Sequence, residues 1–562
     1  MPEIVDRAVD EAARAVLAQA GIDPRLARIF AARGVREAAE LDTQLQGLIP
    51  PSRLTHADEA AVLLAEAIAK DERVLIVADY DADGATACAV GLRALRAFGA
   101  RVDFLVPDRF RFGYGLTPEI VRLAAERRPD LLVTVDNGIA SADGVREAGV
   151  LGMRVLVTDH HLPGSERPEA ACIVNPNQAG CDFPSKHLAG VGVIFYVMLA
   201  LRAELRRRGA FASRKEPNLG ALLDLVALGT VADVVKLDAN NRTLVAQGLA
   251  RIRSGQACAG IAALLAAGGR EARRAGAYDL AFVVGPRLNA AGRLEDMALG
   301  IECLATDDPA LAAELAGRLD RLNRERREIE AKMQDSALAM LSGIDPGEGW
   351  SITMHRPDWH TGVVGILASR LKDRFHRPVF AFASEEGGRL KGSGRSIAGL
   401  HLRDALDLVS KRAPGVLERF GGHAMAAGAT LAPGRLAEFG AAFEAVAREL
   451  IAPSELLQRL ETDGELAQAD VSFEYAARIR QYVWGQGFPE PRFRGRFRVE
   501  AQRVVGGMHA RLALAVGGRR VTAMRFGESG PFPPEIEIVY RLDVNEWNGA
   551  ETLQLVIEHW KP

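Results

Sequence analysis

The spacing of apolar and polar positions changes several times along the chain. Residues 1–70 are alanine-rich and helical in pattern, with a break at Pro50-Pro51. From Val74 short apolar runs take over. Val74–Ala78, Val102–Val106, Leu131–Val135 and Val155–Thr158 read as buried strands. Ala85–Phe98, Thr117–Glu126 and Ala142–Ala148 read as the helices between them. This alternation predicts an α/β domain with a parallel, doubly wound sheet. A mainly helical stretch follows over residues 186–341. Its last part, Pro309 to Leu341, carries Leu311, Leu315, Leu319, Leu322, Ile329 and Met333 at helical spacing, with a gap in the stripe at Arg326. One long amphipathic connector is expected there, with Asn323-Arg-Glu-Arg-Arg-Glu328 as its solvated face. A second, glycine-rich α/β pattern runs over 350–450, and strand-like alternation dominates after about residue 455. The expected division is a helical segment over 1–70, an α/β domain over 71–240, a helical region with the connector over 241–345, a smaller α/β domain over 346–450, and a β-barrel over 455–562.

Three of the apolar runs end in acid. Val74–Ala78 is followed by Asp79, Asp81 and Asp83; Leu131–Val135 by Asp136-Asn-Gly; Val155–Thr158 by Asp159-His160-His161. Carboxylates this close repel and raise one another's pKa unless a cation sits among them. In a doubly wound sheet, ligands bind beyond the carboxyl ends of the strands, where all these residues fall. An EF-hand loop fits Asp79-x-Asp81-x-Asp83-Gly84 at first but has Val90 at its twelfth position, and it follows a strand rather than a helix. A phosphatase of the haloacid dehalogenase type also places Asp-x-Asp after a strand, yet leaves Asp136 and Asp159-His160-His161 unused. Helix N-capping accounts for one aspartate, not for five. Oxygen donors mixed with histidine point to Mg²⁺ or Mn²⁺ and favour Mn²⁺. There are enough carboxylates for two ions, a pairing suited to phosphoester hydrolysis.

Bulk properties narrow the rest. The net charge of −3 excludes a uniformly basic nucleic-acid binder, so any basic surface is local. The five cysteines form no Cys-x-x-Cys pair, which argues against a zinc site or disulfide framework. The first residues lack the features of a signal peptide, and the longest apolar stretch, about Ala189 to Leu201, is too short for a bilayer. A reducing cytoplasm is the expected location, with no membrane contact.

Asp79-Tyr-Asp-Ala-Asp-Gly84, Asp136-Asn-Gly138, Asp159-His-His161 and Leu228-Gly-Thr-Val-Ala-Asp233 resemble the four motifs of the DHH phosphoesterase superfamily, and Gly421-Gly-His423 resembles the signature of its DHHA1 domain. Within that superfamily, Arg109-Phe-Arg-Phe-Gly-Tyr-Gly-Leu116, Gly285-Pro-Arg-Leu-Asn-Ala-Ala-Gly-Arg293 and Gly392-Ser-Gly-Arg-Ser396 are similar to stretches of the RecJ family of single-strand-specific 5′→3′ exonucleases. The match starts near residue 45. It implies a DHH domain, a DHHA1 domain and an OB-like barrel in the places set out above. It implies Asp81, Asp83, Asp136, His160 and Asp233 as metal ligands, Asp79 and Asp159 as ligands or close partners, and His161 as the residue that contacts phosphate and donates a hydrogen bond or proton. It also implies a pocket for the 5′ end built from Arg109, Ser393 and Arg395, with Arg293 as a further phosphate contact. Work in recombination and repair beside a single-strand-binding protein and a helicase, as a monomer, completes the implication.

Two features bear on the substrate independently. Glycine-rich stretches let backbone amides approach phosphate, so Gly392-Ser393-Gly-Arg395-Ser396 reads as an anion loop with hydroxyls and a guanidinium fork. Gly421-Gly422-His423 reads as the approach to a helix N-terminus that attracts anions. In Arg492–Val499, arginines alternate strictly with other residues. Arg494, Arg496 and Arg498 share a strand face with Arg492, and Phe493, Phe497 and Val499 share the other. From Glu490 to Phe526 there are nine arginines against two glutamates. A barrel with such a face is a candidate track for single-stranded DNA, the phenylalanines belonging to its core. Two other functions stay open: a DHH phosphodiesterase for very short RNA or cyclic dinucleotides, which would not need the arginine-rich barrel, and a non-catalytic DNA-binding scaffold, which would not need every acid.

Overall fold

A computed structural model describes residues 2–107, 112, 115–164, 166–341, 349–547 and 550–562. The chain forms two compact units. One comprises Asp6–Asp320 with Glu461–Pro562, the other Met1–Val5 with Arg321–Leu460. Among the described residues no helix is long and apolar enough to cross a membrane.

The N-terminal segment is not wholly helical. It opens with strand β1 (Glu3–Asp6), and only then come the helices Glu11–Gln19, Pro24–Ala31 and Ala57–Ala69. After them β2 (Arg73–Ala78), β3 (Arg101–Leu105), β4 (Leu131–Val135), β5 (Arg154–Thr158) and β6 (Cys172–Val174) form a parallel sheet in the order β3-β2-β4-β5-β6. The predicted strands stand within a residue of their expected ends; β6, three residues long, is too short to leave a periodic signal. The strand order reverses between β2 and β4, so the crevice at their carboxyl ends is a topological switch point. Val74, Leu75, Ile76 and Val77, like Leu131 to Val135, are buried on both faces by flanking helices, which explains their unbroken apolar runs.

In the second unit, β7 (Ile352–Arg356), β8 (Val379–Ser384), β9 (Leu390–Arg395), β10 (Leu417–Gly422) and β11 (Ala426–Leu431) form a sheet ordered β10-β11-β9-β8-β7, in which only β7 and β8 are parallel. Two expectations fail here. Gly392-Ser-Gly-Arg395 is part of strand β9, not a loop, and its glycines make room for rings: a Cβ at Gly392 would collide with Phe382, and one at Gly394 with Phe380. Gly421 and Gly422 end β10 and lead through a turn into β11, so no helix N-terminus follows them. Gly394→Ala is therefore expected to lower stability by about 1–3 kcal/mol through overpacking, measured as an earlier calorimetric transition. The long helix Pro309–Leu341 has the expected bounds, but its charged run is not simply solvated. Arg326 is buried, donates to Asn323 Oδ1 (2.9 Å) and Glu330 Oε2 (2.8 Å), and Glu330 also accepts from Arg370 (2.9 Å). Paired charges fill the gap in the apolar stripe.

After β12 (Arg459–Thr462), which pairs with β1, the chain closes a barrel from β13 (Phe493–Val505), β14 (His509–Val516), β15 (Arg519–Arg525), β16 (Glu535–Trp547) and β17 (Ala550–Lys561), ordered β13-β14-β15-β17-β16. Phe493 and Phe497 are core residues against Tyr540. The segment before the barrel is tied to the N-terminal helices. Arg33 and Asp463, with side chains 0% and 2% exposed, form a bidentate ion pair (2.7 and 2.9 Å), and Arg33 Nε donates to the Pro489 carbonyl (2.7 Å). Phe30 lies against Tyr482, Trp484 and Phe488, with ring centroids 4.8–6.1 Å away. The first 40 residues, nearly silent in the sequence, thus hold the approach to the barrel.

Candidate metal centre and phosphate-binding residues

The acids converge at the switch point because they stand at the ends of several elements that meet there. Asp79 follows β2. Asp81 caps the helix Ala82–Phe98, its Oδ1 accepting from the backbone N–H groups of Asp83 (2.9 Å) and Gly84 (3.0 Å). Asp83 reaches the first turn of the helix Gly190–Arg207 and accepts from the N–H groups of Gly190 (2.6 Å) and Val191 (2.9 Å). Asp136 follows β4 with a left-handed backbone (φ 64°), uncommon for a residue other than glycine, though aspartate tolerates it better than most. Asp159, His160 and His161 follow β5, and Asp233 ends the helix Leu223–Ala232. Three sets bring donor atoms within 4.8 Å of one another: Asp79, Asp81 and Asp136; Asp83, His160 and Asp233; Asp136, His160 and His161. Asp136 belongs to two of them.

Close approach of the helices depends on glycines that the sequence alone did not single out. A Cβ at Gly190 would lie 2.6 Å from Asp136 Oδ1, and one at Gly229 would lie 2.8 Å from Asp83 Oδ1. Asn289 was also missed: its Oδ1 accepts from the Ala82 N–H (2.8 Å) and so docks the helix Gly285–Leu294 on the acid loop. Only the small residues of Leu228-Gly-Thr and Ala189-Gly-Val-Gly hint at this crowding.

The donors fit a cation. Burial pushes the Asp83 carboxyl up to about 7, aided by the charge of Asp81. Asp136 and Asp233 stand well above the usual carboxylate range, first through burial and then through the charge of Asp83 and its neighbours. His160 is driven down to about 4 by burial and by the nearby His161. Its Nε2 is buried without a hydrogen-bond partner, yet lies 3.1 Å from Asp136 Oδ1, 3.6 Å from Asp233 Oδ2 and 4.0 Å from Asp83 Oδ2. A neutral imidazole nitrogen facing three carboxylates is a donor set for a divalent ion of the Mn²⁺ or Mg²⁺ kind. Asp159 belongs to none of the three sets. Its oxygens accept from the N–H groups of Ile139 (2.9 Å), His160 (2.7 Å) and His161 (3.1 Å), and Oδ1 lies 2.8 Å from His161 Nδ1. Burial works against charge on both partners of this pair. The bond between them wins, holding Asp159 below the usual range and raising His161 to about 9. The geometry makes Asp159 the residue that orients His161.

The other expected phosphate contacts are more scattered. Arg109 lies outside the described residues. Arg293 is in the last turn of Gly285–Leu294, next to Gly292, where a Cβ would collide with the Tyr80 carbonyl of the acid loop. In the other unit, Ser393 and Arg395 share one face of β9 against the first turn of the helix Val364–Phe375. There Gly365 leaves space: a Cβ would come within 3.2 Å of Arg395 Nη2 and 3.4 Å of Ser393 Oγ. Ser396 is buried and its hydroxyl donates to the Leu400 carbonyl (2.8 Å), a structural bond. Gly421 and His423 are exposed at the β10–β11 turn, with Gly422 between them. On the barrel, Arg494 is held by Asp6 (3.0 and 3.2 Å) and Glu465 (2.9 Å), Arg498 is 3.0 Å from Glu500, and Arg496 is 3.8 Å from Glu537. The arginine face is therefore partly neutralised, most of all at Arg494.

Residues 73–230 match the DHH family, N-terminal domain, residues 349–449 the DHHA1 domain and residues 462–559 the RecJ OB domain. The single-stranded-DNA-specific exonuclease RecJ of Dickeya dadantii is 50% identical over 551 residues, 96% of each chain. That of Escherichia coli is 47% identical over 99% of this chain and 98% of its own. The chain belongs to the RecJ family. Among solved structures, RecJ from Thermus thermophilus in complex with Mn²⁺ matches all of this chain and 79% of its own at a TM-score of 0.83 and 32% identity. The same protein in complex with Mg²⁺ matches at a TM-score of 0.77. Those two ions are the pair to which the donor set of this RecJ-family chain points.

Proposed function

We propose that the chain is a metal-dependent exonuclease that shortens single-stranded DNA from its 5′ end, releasing 5′-mononucleotides. The observation that carries this reading is the convergence of Asp79, Asp81, Asp83, Asp136, His160 and Asp233 at the switch point, with His161 held charged beside them. Mn²⁺ or Mg²⁺, in one or two positions among these donors, supplies a nucleophilic water at neutral pH and neutralises charge on phosphate. The chain's own residues supply the rest. Asp159 fixes the ring of His161 and keeps it protonated, so that it donates a hydrogen bond or proton to a phosphate oxygen. Arg293, beside the acid loop, binds the same phosphate or its neighbour. Arg395 and Ser393 take the terminal phosphate, and the guanidinium fork suits a phosphate monoester better than an internal diester. Action in recombination and repair beside a single-strand-binding protein and a helicase, as a cytoplasmic monomer, belongs to this reading. The arginine-rich barrel, which short-oligonucleotide phosphodiesterases would not need, favours long strands.

Arg395→Ala is expected to cut kcat/KM on 5′-phosphorylated strands by more than on 5′-hydroxyl strands, with binding to strand interiors little changed. The measurement is single-turnover digestion of 3′-labelled strands with open or blocked 5′ ends. Equal rates on open and blocked strands in the wild type would overturn the polarity.

A further inference from the structure

His160 and His161 are adjacent, identical in type and close in space, yet they face different partners. Their ring centroids lie 4.4 Å apart. Both reach Asp136 Oδ1, His160 Nε2 at 3.1 Å and His161 Nδ1 at 4.0 Å. Residue type therefore does not decide which ring joins the carboxylates and which stands beside Asp159. The backbone that carries the two rings decides it.

All four backbone polar groups of the pair are held by side chains. Asp159 Oδ1 accepts from the N–H of His160 (2.7 Å) and of His161 (3.1 Å). On the carbonyl side, Asn177 Nδ2 donates to His160 (2.6 Å) and Asn175 Nδ2 donates to His161 (2.9 Å). Both asparagines follow β6. The parallel ladder pairs Thr158 of β5 with Val174 of β6, and the Asp159 N–H donates to the Val174 carbonyl (3.1 Å). From there the two side-chain amides take over the bonding from the backbone.

The turn that presents them is itself fixed. Asn175 is 0% exposed, and its Oδ1 accepts from the Asn177 N–H (2.6 Å), which aims its Nδ2 at the histidine loop. Lys186 Nζ donates to the carbonyls of Pro176 (2.7 Å) and Cys181 (2.6 Å), and Gln178 Nε2 donates to the Ile173 carbonyl (3.0 Å). A strand of three residues adds little to a sheet. Its place beside β5 sets the two amides against the histidines.

We propose that the turn Asn175-Pro176-Asn177 is a positioning element for the reaction: it fixes which histidine of the pair meets the cation and which meets the phosphate. Asn177 acts through His160 and Asn175 through His161. The inference rests on the roles that the exonuclease reading gives the two histidines.

The test uses the full chain and three readouts. Mn²⁺ affinity is measured without DNA, from the electron paramagnetic resonance of the free ion. Steady-state kcat and KM are measured on 5′-phosphorylated oligo-dT at saturating Mn²⁺, and the urea midpoint on metal-free protein. Asn177→Ala is expected to weaken Mn²⁺ binding by roughly 10–100-fold, with kcat largely recovered at saturating Mn²⁺. Asn175→Asp keeps the oxygen that accepts from the Asn177 N–H but turns the donor into an acceptor that repels the His161 carbonyl. It is expected to lower kcat by roughly 10–100-fold, with KM and Mn²⁺ affinity little changed. A role in folding alone would lower the urea midpoint of both variants and leave Mn²⁺ affinity and kcat at wild-type levels, and that result would overturn the inference. Equal losses of both readouts in both variants would overturn it too, because the turn would then hold the loop without assigning the histidines. Should Asn175→Asp fail to fold, Asn177→Ala decides alone, since Asn177 is half-buried, and an unchanged Mn²⁺ affinity there would sink the proposal. Failure of the wild type to cleave any single strand with Mn²⁺ would overturn the exonuclease reading instead, while the Mn²⁺ comparison would still decide the role of Asn177.

Discussion

Asp136→Ala is expected to abolish cleavage while leaving single-strand affinity intact. Asp136 contributes to two of the three convergent donor sets, and His160 Nε2 lies 3.1 Å from it. The loss should exceed the roughly 10–100-fold that follows removal of a partner one step further from a metal. A second variant separates ligand loss from backbone strain. Asp136→Asn keeps a residue that tolerates the left-handed conformation, yet gives up the anionic oxygen. Both variants should lose the rise in thermal midpoint that Mn²⁺ gives the wild type, because an ion that binds only the folded state stabilises it by mass action. Without metal, neither should be much less stable than the wild type, since each removes one of several buried carboxylates that repel. Near-normal turnover with Mn²⁺ in either variant would show that the ion is held elsewhere.

The largest effect on stability is expected at Asp463. Alanine there leaves the Arg33 guanidinium buried without its counter-charge, a loss of about 3–5 kcal/mol. Trp484, whose ring lies 5.4 Å from the Arg33 guanidinium carbon, is a local reporter. Its fluorescence should change at lower urea in Asp463→Ala than in the wild type. Replacing both partners by apolar residues, Arg33→Met with Asp463→Leu, should recover much of the loss, because a buried ion pair gains little over a packed apolar pair. A double variant as unstable as the single one would mean that Arg33 matters through its bond to the Pro489 carbonyl rather than through the ion pair.

What the sequence revealed depended on how local the physics was. Strands β2 to β5 and the long helix were legible because burial on fixed faces writes a period into neighbouring residues. The acids were legible because crowded like charges at strand ends need a reason. The glycines of β9 were misread because their reason is not local: the colliding rings belong to Phe380 and Phe382 on the adjacent strand. Gly421 and Gly422 were assigned to a helix start for want of apolar periodicity around them. The alternating arginines were read correctly as a strand face with Phe493 and Phe497 inward. The carboxylates that bind Arg494 were invisible, since Asp6 lies 488 residues away in sequence. Arg326 looked solvated for the same reason, as one of the charges around it, Arg370, comes from another helix.

The same long reach across the chain governs how the protein is made. Arg33 leaves the ribosome 430 residues ahead of Asp463. At synthesis rates of about 5–20 residues per second, the delay is roughly 20–90 s. Through that interval Phe30 lacks the aromatic partners that bury it in the finished protein, and the helix Pro24–Ala31 presents an apolar stripe to solvent. The nascent chain thus carries that apolar stripe uncovered until its last hundred residues emerge, and a frameshift near residue 460 would release a product with the stripe permanently bare.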